Sequence, residues 1–287
     1  MKILITGGTG LIGTKLVTQL TQQSHEIMLL IRPNESVKQL NGITYIEGDI
    51  TDISSLNTIA QPFDAVIHLA GLTHSPKKNE YYRINTDGTK HLLSACTKAG
   101  VKHFIYISSR TASVAGGAYA HSKLLAEQTV EASTLPWTIL QPAEVYGVSD
   151  REAIGKLVAM VKNKKIIPVI GDGLYELAPV HVDDVGQAIT ACIGNTTAIG
   201  KKYVIAGPES FTFVALIKRI ADYYEVKPRT IHVPLWVVKP AISLAGLLMP
   251  RLIVPDQLPR MLCLKSTDIS AAKRDLNFSP KIIEERL

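Results

Sequence analysis

Cysteine is scarce in this 287-residue sequence, which contains only three. Cys96, Cys192 and Cys263 lie far apart and form no CxxC pair, so they indicate neither a disulfide framework nor a cysteine-ligated zinc site. This usage is typical of a reducing compartment. The first residues also lack the apolar core and the small-residue cleavage site of a signal peptide. We therefore expect a cytoplasmic protein.

Long uninterrupted apolar runs are also missing. The stretch from Val233 to Met249 is apolar, but Lys239 and Pro240 interrupt it, whereas a membrane-spanning helix needs about 20 largely uninterrupted apolar residues. No transmembrane segment is therefore predicted. The stretch predicts a buried lid or core helix, and contact with a membrane surface is the alternative.

The net charge of +6 is not gathered into an obvious nucleic-acid site. The densest basic run, Lys162 to Lys165, is short and has no interleaved aromatic residues. We expect it to be a solvated surface, with no nucleic-acid partner. Asp183 and Asp184 form an acidic pair, but two carboxylates without other ligands are poor support for a metal site, and none is predicted.

What the sequence does contain is an alternation of short apolar segments with helix-length segments. The segments that predict strands are Lys2 to Thr6, Glu26 to Ile31, Ile43 to Ile46, Ala65 to Leu69, Phe104 to Ile107, Trp137 to Leu140, Ile166 to Ile170 and Tyr203 to Ile205. Because right-handed crossovers return the chain over the sheet, this pattern predicts an α/β doubly wound parallel sheet, the Rossmann fold. We predict a Rossmann domain over residues 1–142, whose core also receives about 178–206, and a smaller α/β substrate lobe over 143–287.

A glycine-rich segment, Thr6 to Gly13, follows the first predicted strand and opens a helix. Glycines at such a junction allow a tight turn and let backbone N–H groups approach a pyrophosphate, which the helix N-terminus also attracts. Gly7, Gly10 and Gly13 are therefore predicted to bind a dinucleotide.

The end of the second predicted strand bears on which dinucleotide binds. An acidic residue there holds the ribose hydroxyls of NAD, whereas an arginine suits the 2′-phosphate of NADP. This sequence has Arg32, so NADP(H) is predicted in preference to NAD(H), which remains the alternative. In the competing interpretation Arg32 is a solvated charge at the strand end.

A candidate catalytic pair follows the fifth predicted strand. Tyr119 and Lys123 are four residues apart, so on a helix both side chains lie on one face. A nearby ammonium lowers the pKa of a phenol towards the range in which it exchanges protons with an alcohol or carbonyl. Tyr119 is the candidate acid/base, and Lys123 adjusts its pKa. An ordinary surface tyrosine is the alternative.

These motifs together resemble the extended short-chain dehydrogenase/reductase family, also called the NAD-dependent epimerase/dehydratase family, over most of the chain. The matching pieces are TGGTGLIG from Thr6, GDITD from Gly48, HLAG from His68, YYRINTDGT from Tyr81, YISS from Tyr106, YAHSK from Tyr119, LQPAEVYG from Leu140 and VHVDDVGQAI from Val180. The family often dimerises through the helix that carries YxxxK, so a homodimer is an expectation.

The resemblance implies roles for individual residues. Ser109 would polarise the substrate oxygen, with Ser108 as the neighbouring alternative, Tyr119 would carry the proton, Lys123 would also hold the nicotinamide ribose, and Asn85 would support the site. The predicted cofactor-binding set is Gly7, Thr9, Gly10, Leu11, Ile12, Gly13, Arg32, Asp49, Ile50, Leu69, Ala70, Gly71, Tyr119, Lys123 and Pro142. The predicted substrate set is Thr73, His74, Ser109, Glu144 and Val145. His121 and His181 are expected to be structural or on the surface.

Two departures from the family pattern narrow the function. Arg110 and Thr111 stand where dehydratases carry an Asp-Glu pair, which argues against dehydration. Leu177 and Gln141 stand where sugar-nucleotide enzymes often carry phosphate-binding arginines. We therefore predict an NAD(P)-dependent oxidoreductase acting on a small carbonyl or alcohol compound. A sugar-nucleotide epimerase and a non-catalytic NADPH-binding accessory or sensor protein are the alternatives.

Overall fold

A computed structural model describes residues 1–37, 39–147, 152–248 and 256–287. Its strands are β1 (Lys2–Thr6), β2 (Glu26–Ile31), β3 (Ile43–Glu47), β4 (Ala65–His68), β5 (Phe104–Ile107), β6 (Trp137–Pro142), β7 (Val145–Tyr146), β8 (Ile166–Ile170), β9 (Glu176–Leu177), β10 (Val180–His181), β11 (Lys201–Ile205), β12 (Phe211–Thr212) and β13 (Arg229–Val233). Its α-helices are α1 (Leu11–Thr21), α2 (Lys78–Tyr81), α3 (Gly88–Lys98), α4 (Gly117–Glu131), α5 (Ala153–Asn163), α6 (Val182–Cys192), α7 (Phe213–Tyr223), α8 (Leu235–Leu248), α9 (Gln257–Leu262) and α10 (Ser270–Leu276). A π-helical segment, Tyr82–Asp87, joins α2 to α3.

Seven parallel strands form the central sheet in the order β11-β6-β5-β4-β1-β2-β3. The order reverses between β1 and β4, so the connections leave these strands in opposite directions and open a crevice at their carboxyl ends. The doubly wound Rossmann fold predicted from the alternation is confirmed.

Alternate residues of each central strand face opposite layers of helices. Ile3 and Ile5 of β1 pack with residues of α1, α6 and α10, whereas Leu4 between them packs with residues of α3 and α4. Both faces of the sheet are therefore covered. This explains why the strands have continuous apolar sequences without the polar alternation of a half-exposed sheet.

A smaller apolar cluster lies apart from the sheet. It joins α5 and α7 to β8, with Leu157, Ile167 and Leu216 among its buried members, and β8 pairs with β13. The boundary at residue 142 between a Rossmann domain and a substrate lobe remains a prediction.

The apolar stretch after Val233 forms a helix, but its first turn is not buried as expected. Val238 is buried, whereas Trp236 is 78% exposed. Pro240 lies inside the helix, and Met249 lies outside the described residues. None of the described helices combines the length and the apolar character needed to cross a bilayer.

The glycine turn packs tightly against its surroundings. Gly7 has φ of +71°, and a Cβ there would lie 2.5 Å from the backbone nitrogen of Ala70. On Gly13, in the first turn of α1, a Cβ would lie 2.2 Å from the carbonyl oxygen of Gly7. Only glycine lets α1 approach the turn this closely.

Gly13→Ala is therefore expected to lower the free energy of unfolding by at least ~1 kcal/mol, because the backbone clash outweighs the better helix propensity of alanine. Urea denaturation measures the change. Lys15→Ala, at an exposed position of the same helix, is the control. Equal stability of Gly13→Ala and wild type would show that the helix can shift without cost.

Candidate functional site

Two adjoining cavities open along the carboxyl ends of the central strands. The first, which we call the β2 cavity, has a volume of about 320 Å³ and is lined by Arg32, Asp49 and Ile50 among others. The second, the α4 cavity, has a volume of about 500 Å³ and is lined by Tyr119 and Lys123 among others. The cavities share five lining residues: Gly7, Gly10, Leu69, Gly71 and Leu72. Together they form one groove across the reversal point of the sheet.

The groove brings together nearly all the residues singled out from the sequence. Those lining the β2 cavity are Gly7, Thr9, Gly10, Arg32, Asp49, Ile50, Leu69, Ala70 and Gly71. Those lining the α4 cavity are Gly7, Gly10, Leu11, Ile12, Gly13, Leu69, Gly71, Thr73, Asn85, Ser109, Tyr119, Lys123, Pro142, Glu144 and Val145. His74 is in neither set. Its Nδ1 lies 3.0 Å from Nε2 of Gln257 at an exposed position.

The N-terminus of α1 lies where the two cavities meet. Gly10 is its N-cap residue, and within the described chain no side chain caps the helix and no acidic residue occupies its first turn. The first backbone N–H groups and the positive end of the helix dipole can therefore be offered to an anion. With the glycine cradle, this fits the pyrophosphate of a dinucleotide.

The β2 cavity contains a carboxylate, Glu35, that no sequence motif marks. Glu35 accepts hydrogen bonds from Nε of Arg32 at 3.1 Å and from the hydroxyl of Thr9 at 3.1 Å. The hydrogen bond from Arg32 is the largest cause of a lowered pKa at Glu35, so this carboxylate stays ionised at neutral pH. The only sequence signal was its position three residues after Arg32 in the turn that follows β2.

Tyr119 and Lys123 lie on the buried side of α4, as their spacing predicts. Nζ of Lys123 donates a hydrogen bond to the carbonyl oxygen of Ile107 at 2.8 Å and lies 4.3 Å from the ring centroid of Tyr106. Burial lowers the pKa of Lys123 to about 7. Burial also raises the pKa of Tyr119, and the charge of Arg260 and a hydrogen bond with Ser109 oppose this rise.

The structure distinguishes the two adjacent serines at the end of β5. Ser108 donates its hydroxyl hydrogen to Glu127, a buried carboxylate of α4. The Ser109 hydroxyl instead lies 2.9 Å from that of Thr111 and interacts with Tyr119. Ser109 is therefore the serine whose hydroxyl is available beside the tyrosine.

Asn85 ties together two walls of the α4 cavity. Its side chain accepts a hydrogen bond from the backbone N–H of Leu72 at 2.7 Å and donates one to the Ser122 hydroxyl at 3.0 Å. Asn85 lies in the π-helical segment, a local widening of the helix that is frequent at functional sites. This arrangement holds α4 beside the loop that follows β4.

A second missed group comes from α9, late in the sequence. The guanidinium carbon of Arg260 lies 3.8 Å from the ring centroid of Tyr119, and Arg260 lines the α4 cavity. Asp256 pairs with Arg260 at 3.3 Å. No motif marks these residues, because the contact joins parts of the chain more than a hundred residues apart.

The residues that depart from the family pattern are engaged within the protein. Arg110, almost fully buried, forms an ion pair with Glu144 at 2.6 Å. Gln141 donates to Glu127 at 2.9 Å, and Leu177 is buried in the smaller apolar cluster. Neither of the last two lines the α4 cavity.

The remaining histidines have structural contacts. His68 bridges the hydroxyls of Thr6 and Thr89 at 2.7 and 3.0 Å, and complete burial lowers its pKa to about 3, so it is neutral. His121 lies 3.2 Å from the Tyr82 hydroxyl. His181 accepts a hydrogen bond from a backbone N–H in the first turn of α6.

The acidic pair at the start of α6 also has internal partners. Arg286 lies 3.4 Å from Asp183 and 3.4 Å from Asp184, and Asp184 accepts a hydrogen bond from the backbone N–H of Lys281 at 3.1 Å. These contacts fasten the C-terminal end of the chain to α6.

Comparison with known proteins identifies the family. Residues 3–206 match the model of the NAD dependent epimerase/dehydratase family. The chain belongs to this family. The match covers the glycine turn, the lining of the β2 cavity and the Tyr119–Lys123 helix, and it confirms the resemblance proposed from the motifs.

Relatives of this epimerase/dehydratase-family chain include both reductases and epimerases. A ceramide reductase of Caulobacter vibrioides is 28% identical over 251 residues, which cover 86% of this chain and 77% of the reductase. A UDP-glucose 4-epimerase of Vibrio cholerae is 25% identical over 304 residues, which cover 97% of this chain and 90% of the epimerase.

Solved structures agree on the fold. A UDP-glucuronic acid 4-epimerase from Bacillus cereus, solved with UDP-glucuronic acid and NAD, superposes with a TM-score of 0.74 at 23% identity. The superposition covers 100% of this chain and 96% of that protein. At this identity the likeness concerns the architecture alone.

The buried lysine predicts a pH dependence of stability. Because the pKa of Lys123 falls from 10.5 to about 7 on folding, the unfolded chain binds a proton between these values that the native protein does not. The contribution of Lys123 to the free energy of unfolding is therefore highest above this window and is lost as the pH falls through it.

Urea denaturation of the nucleotide-free protein at several pH values in this window tests the prediction. Lys123→Met is expected to show a smaller loss of stability on acidification than wild type, whereas Lys98→Met, at an exposed position of α3, should follow wild type. Parallel curves for wild type and Lys123→Met would contradict the prediction.

Proposed function

We propose that the protein is an NAD(P)-dependent oxidoreductase that transfers hydride between C4 of the nicotinamide and a small carbonyl or alcohol compound. One observation carries the proposal: Ser109, Tyr119 and Lys123 line the α4 cavity, which is continuous with the glycine turn at the N-terminus of α1. A bound nicotinamide supplies the hydride donor or acceptor. The protein supplies position and proton transfer.

In this proposal Tyr119 donates its phenolic proton to the substrate oxygen during reduction and takes it back during oxidation. Ser109 donates a hydrogen bond to the same oxygen and fixes its place beside the phenol. Lys123 offers its Nζ to the nicotinamide ribose. Asn85 positions α4 without touching the substrate, through its hydrogen bonds to Leu72 and Ser122.

The walls of the α4 cavity favour a substrate that is less polar than a sugar nucleotide. Apolar side chains from Ile12, Leu72 and Val145 line it. Gln141, at the position where the family resemblance implies an arginine in sugar-nucleotide enzymes, is hydrogen-bonded to Glu127. Glu144, which is ion-paired with Arg110, adds a carboxylate to the cavity wall, and a carboxylate there disfavours a diphosphate.

Epimerisation of a sugar nucleotide is the second candidate. The observation that favours it is the similarity to the Vibrio cholerae epimerase over 97% of this chain. The same tyrosine would then serve twice in one turnover, and no net oxidation of nucleotide would be observed.

Tyr119→Phe tests the mechanism. We expect it to bind NADPH with nearly wild-type affinity, since only one hydroxyl is lost, but to reduce kcat at least about 100-fold, because proton transfer is removed. Nicotinamide fluorescence measures binding. Nucleotide oxidation with a panel of ketones and aldehydes measures turnover, and conversion of UDP-glucose to its 4-epimer is followed separately by product analysis.

Full turnover by Tyr119→Phe would refute the acid/base role. Tight nucleotide binding by wild type without turnover on any compound, epimerisation included, would favour a non-catalytic nucleotide-binding protein.

In the same proposal NADP(H) is preferred over NAD(H), because Arg32 lines the β2 cavity at the end of β2. Glu35 opposes this preference, since its carboxylate pairs with Arg32 and would repel a 2′-phosphate. Arg32→Asp is expected to lower the ratio of NADPH to NADH affinity at least about tenfold, and Glu35→Gln is expected to raise it.

Fluorescence titration of both variants with both nucleotides measures the ratios. Because the two substitutions change the charge in opposite directions, a shift of both ratios in the same direction would point to general damage of the cavity. An unchanged ratio in Arg32→Asp would remove the basis for NADP(H).

A further inference from the structure

The residue that precedes α9, Asp256, is hydrogen-bonded to the helix that carries Tyr119. The Asp256 carboxylate accepts hydrogen bonds from the backbone N–H groups of Ala118 at 2.5 Å and Tyr119 at 3.1 Å. These are orphan donors of the first turn of α4, where a negative charge is favoured. Gly117 makes the contact possible: its φ is +87°, and a Cβ would lie 2.6 Å from Oδ1 of Asp256.

Four residues after Asp256, the guanidinium of Arg260 lies over the face of the Tyr119 ring. Its Nη1 donates to the carbonyl oxygen of Thr73 at 3.1 Å and its Nη2 to Asp256 at 3.3 Å. Both terminal nitrogens thus have protein partners, and Nε is buried without one. The guanidinium is therefore fixed over the ring and is not left free to follow a ligand.

We propose that Arg260 is a positioning residue that stabilises the phenolate form of Tyr119, and that Asp256 holds it in place; its catalytic consequence rests on the acid/base role proposed above for Tyr119. A cation at this distance from the ring attracts the negative charge that forms when the phenol loses its proton. The contact also shields the ring face from water.

The position of Lys123 explains why a second cation beside Tyr119 helps to stabilise the phenolate. Its Nζ is directed to the carbonyl oxygen of Ile107, and burial disfavours its charged form. An arginine does not lose its charge in proteins. Arg260 therefore keeps its positive charge over the face of Tyr119, whatever the protonation state of the lysine.

Nuclear magnetic resonance of protein labelled with ¹³C at tyrosine Cζ tests the proposal without any substrate. The Tyr119 resonance is assigned by its absence in Tyr119→Phe, and its chemical shift is followed against pH in the nucleotide-free protein. We expect Arg260→Gln to raise the Tyr119 titration midpoint by about one pH unit or more. The Tyr119 midpoint in Arg260→Lys should lie between those of wild type and Arg260→Gln, because the lysine ammonium keeps a charge but itself titrates in this range.

Arg219→Gln is the matched control, since Arg219 pairs with Glu209 and Glu284 and has no contact with Tyr119; it should leave the midpoint unchanged. Circular dichroism and thermal unfolding verify the fold of each variant. Arg260→Met, which keeps the length of the aliphatic stem, replaces Arg260→Gln if that variant does not fold. If neither neutral variant folds, the midpoint of Arg260→Lys decides, and a wild-type value there overturns the proposal.

A folded neutral variant with the wild-type midpoint overturns the proposal. So does an equal shift in Arg260→Lys and Arg260→Gln, because packing and not charge would then be responsible. Neither result affects the oxidoreductase proposal, which stands or falls on the Tyr119→Phe assays. Conversely, Arg260→Gln could raise the Tyr119 midpoint while the wild-type protein turns over no compound. That result would support the effect of Arg260 on Tyr119 and refute the catalytic function.

Discussion

The burial of Tyr119 and Lys123 together on one helix is the constraint around which the site is built. An ionisable phenol and an amine removed from water both lose hydration, so each needs partners fixed by the protein. The amine has the carbonyl oxygen of Ile107 at the end of β5. The phenol has Ser109 and the guanidinium of Arg260. Ile107 and Ser109 come from the end of β5, whereas Arg260 comes from α9.

The need for fixed partners explains why α4 is hydrogen-bonded to several neighbouring segments. Asn85 joins the helix to the loop after β4, Asp256 binds its first turn, and Glu127 on its later turns accepts from Ser108 and Gln141. A displacement of the helix would break several of these bonds at once. Such cooperation keeps Tyr119 and Lys123 in place more firmly than any single contact.

The features that could be predicted from the sequence are those that depend on residues close together in the chain. β1, β2, β5 and β8 have the predicted bounds. Each is a continuous apolar run between turn residues, so both of its ends are marked within one short segment of sequence. The glycine turn and the Tyr119–Lys123 spacing are likewise local, and both lie in the groove. β11 begins at Lys201, two residues before the predicted start at Tyr203.

The rest depends on distant contacts that no local pattern encodes. Glu35, Asp256 and Arg260 are ordinary charged residues in the sequence, and only folding brings them to Thr9, Gly117 and Tyr119. The apolar first turn of α8 illustrates the converse error. Its composition predicts burial, but the number of neighbours available to cover Trp236 is decided by tertiary packing.

The late position of Arg260 in the chain has a consequence for synthesis. The seven-stranded sheet and the glycine turn are complete once Ile205 has been added, and chains emerging from the ribosome fold progressively from the N-terminus. The groove for the nucleotide can thus form while the residues that cover the tyrosine are still untranslated. If the proposed function holds, a nascent chain acquires the means to bind nucleotide before the proposed proton donor is fully assembled, so nucleotide stabilises the growing protein ahead of any chemistry.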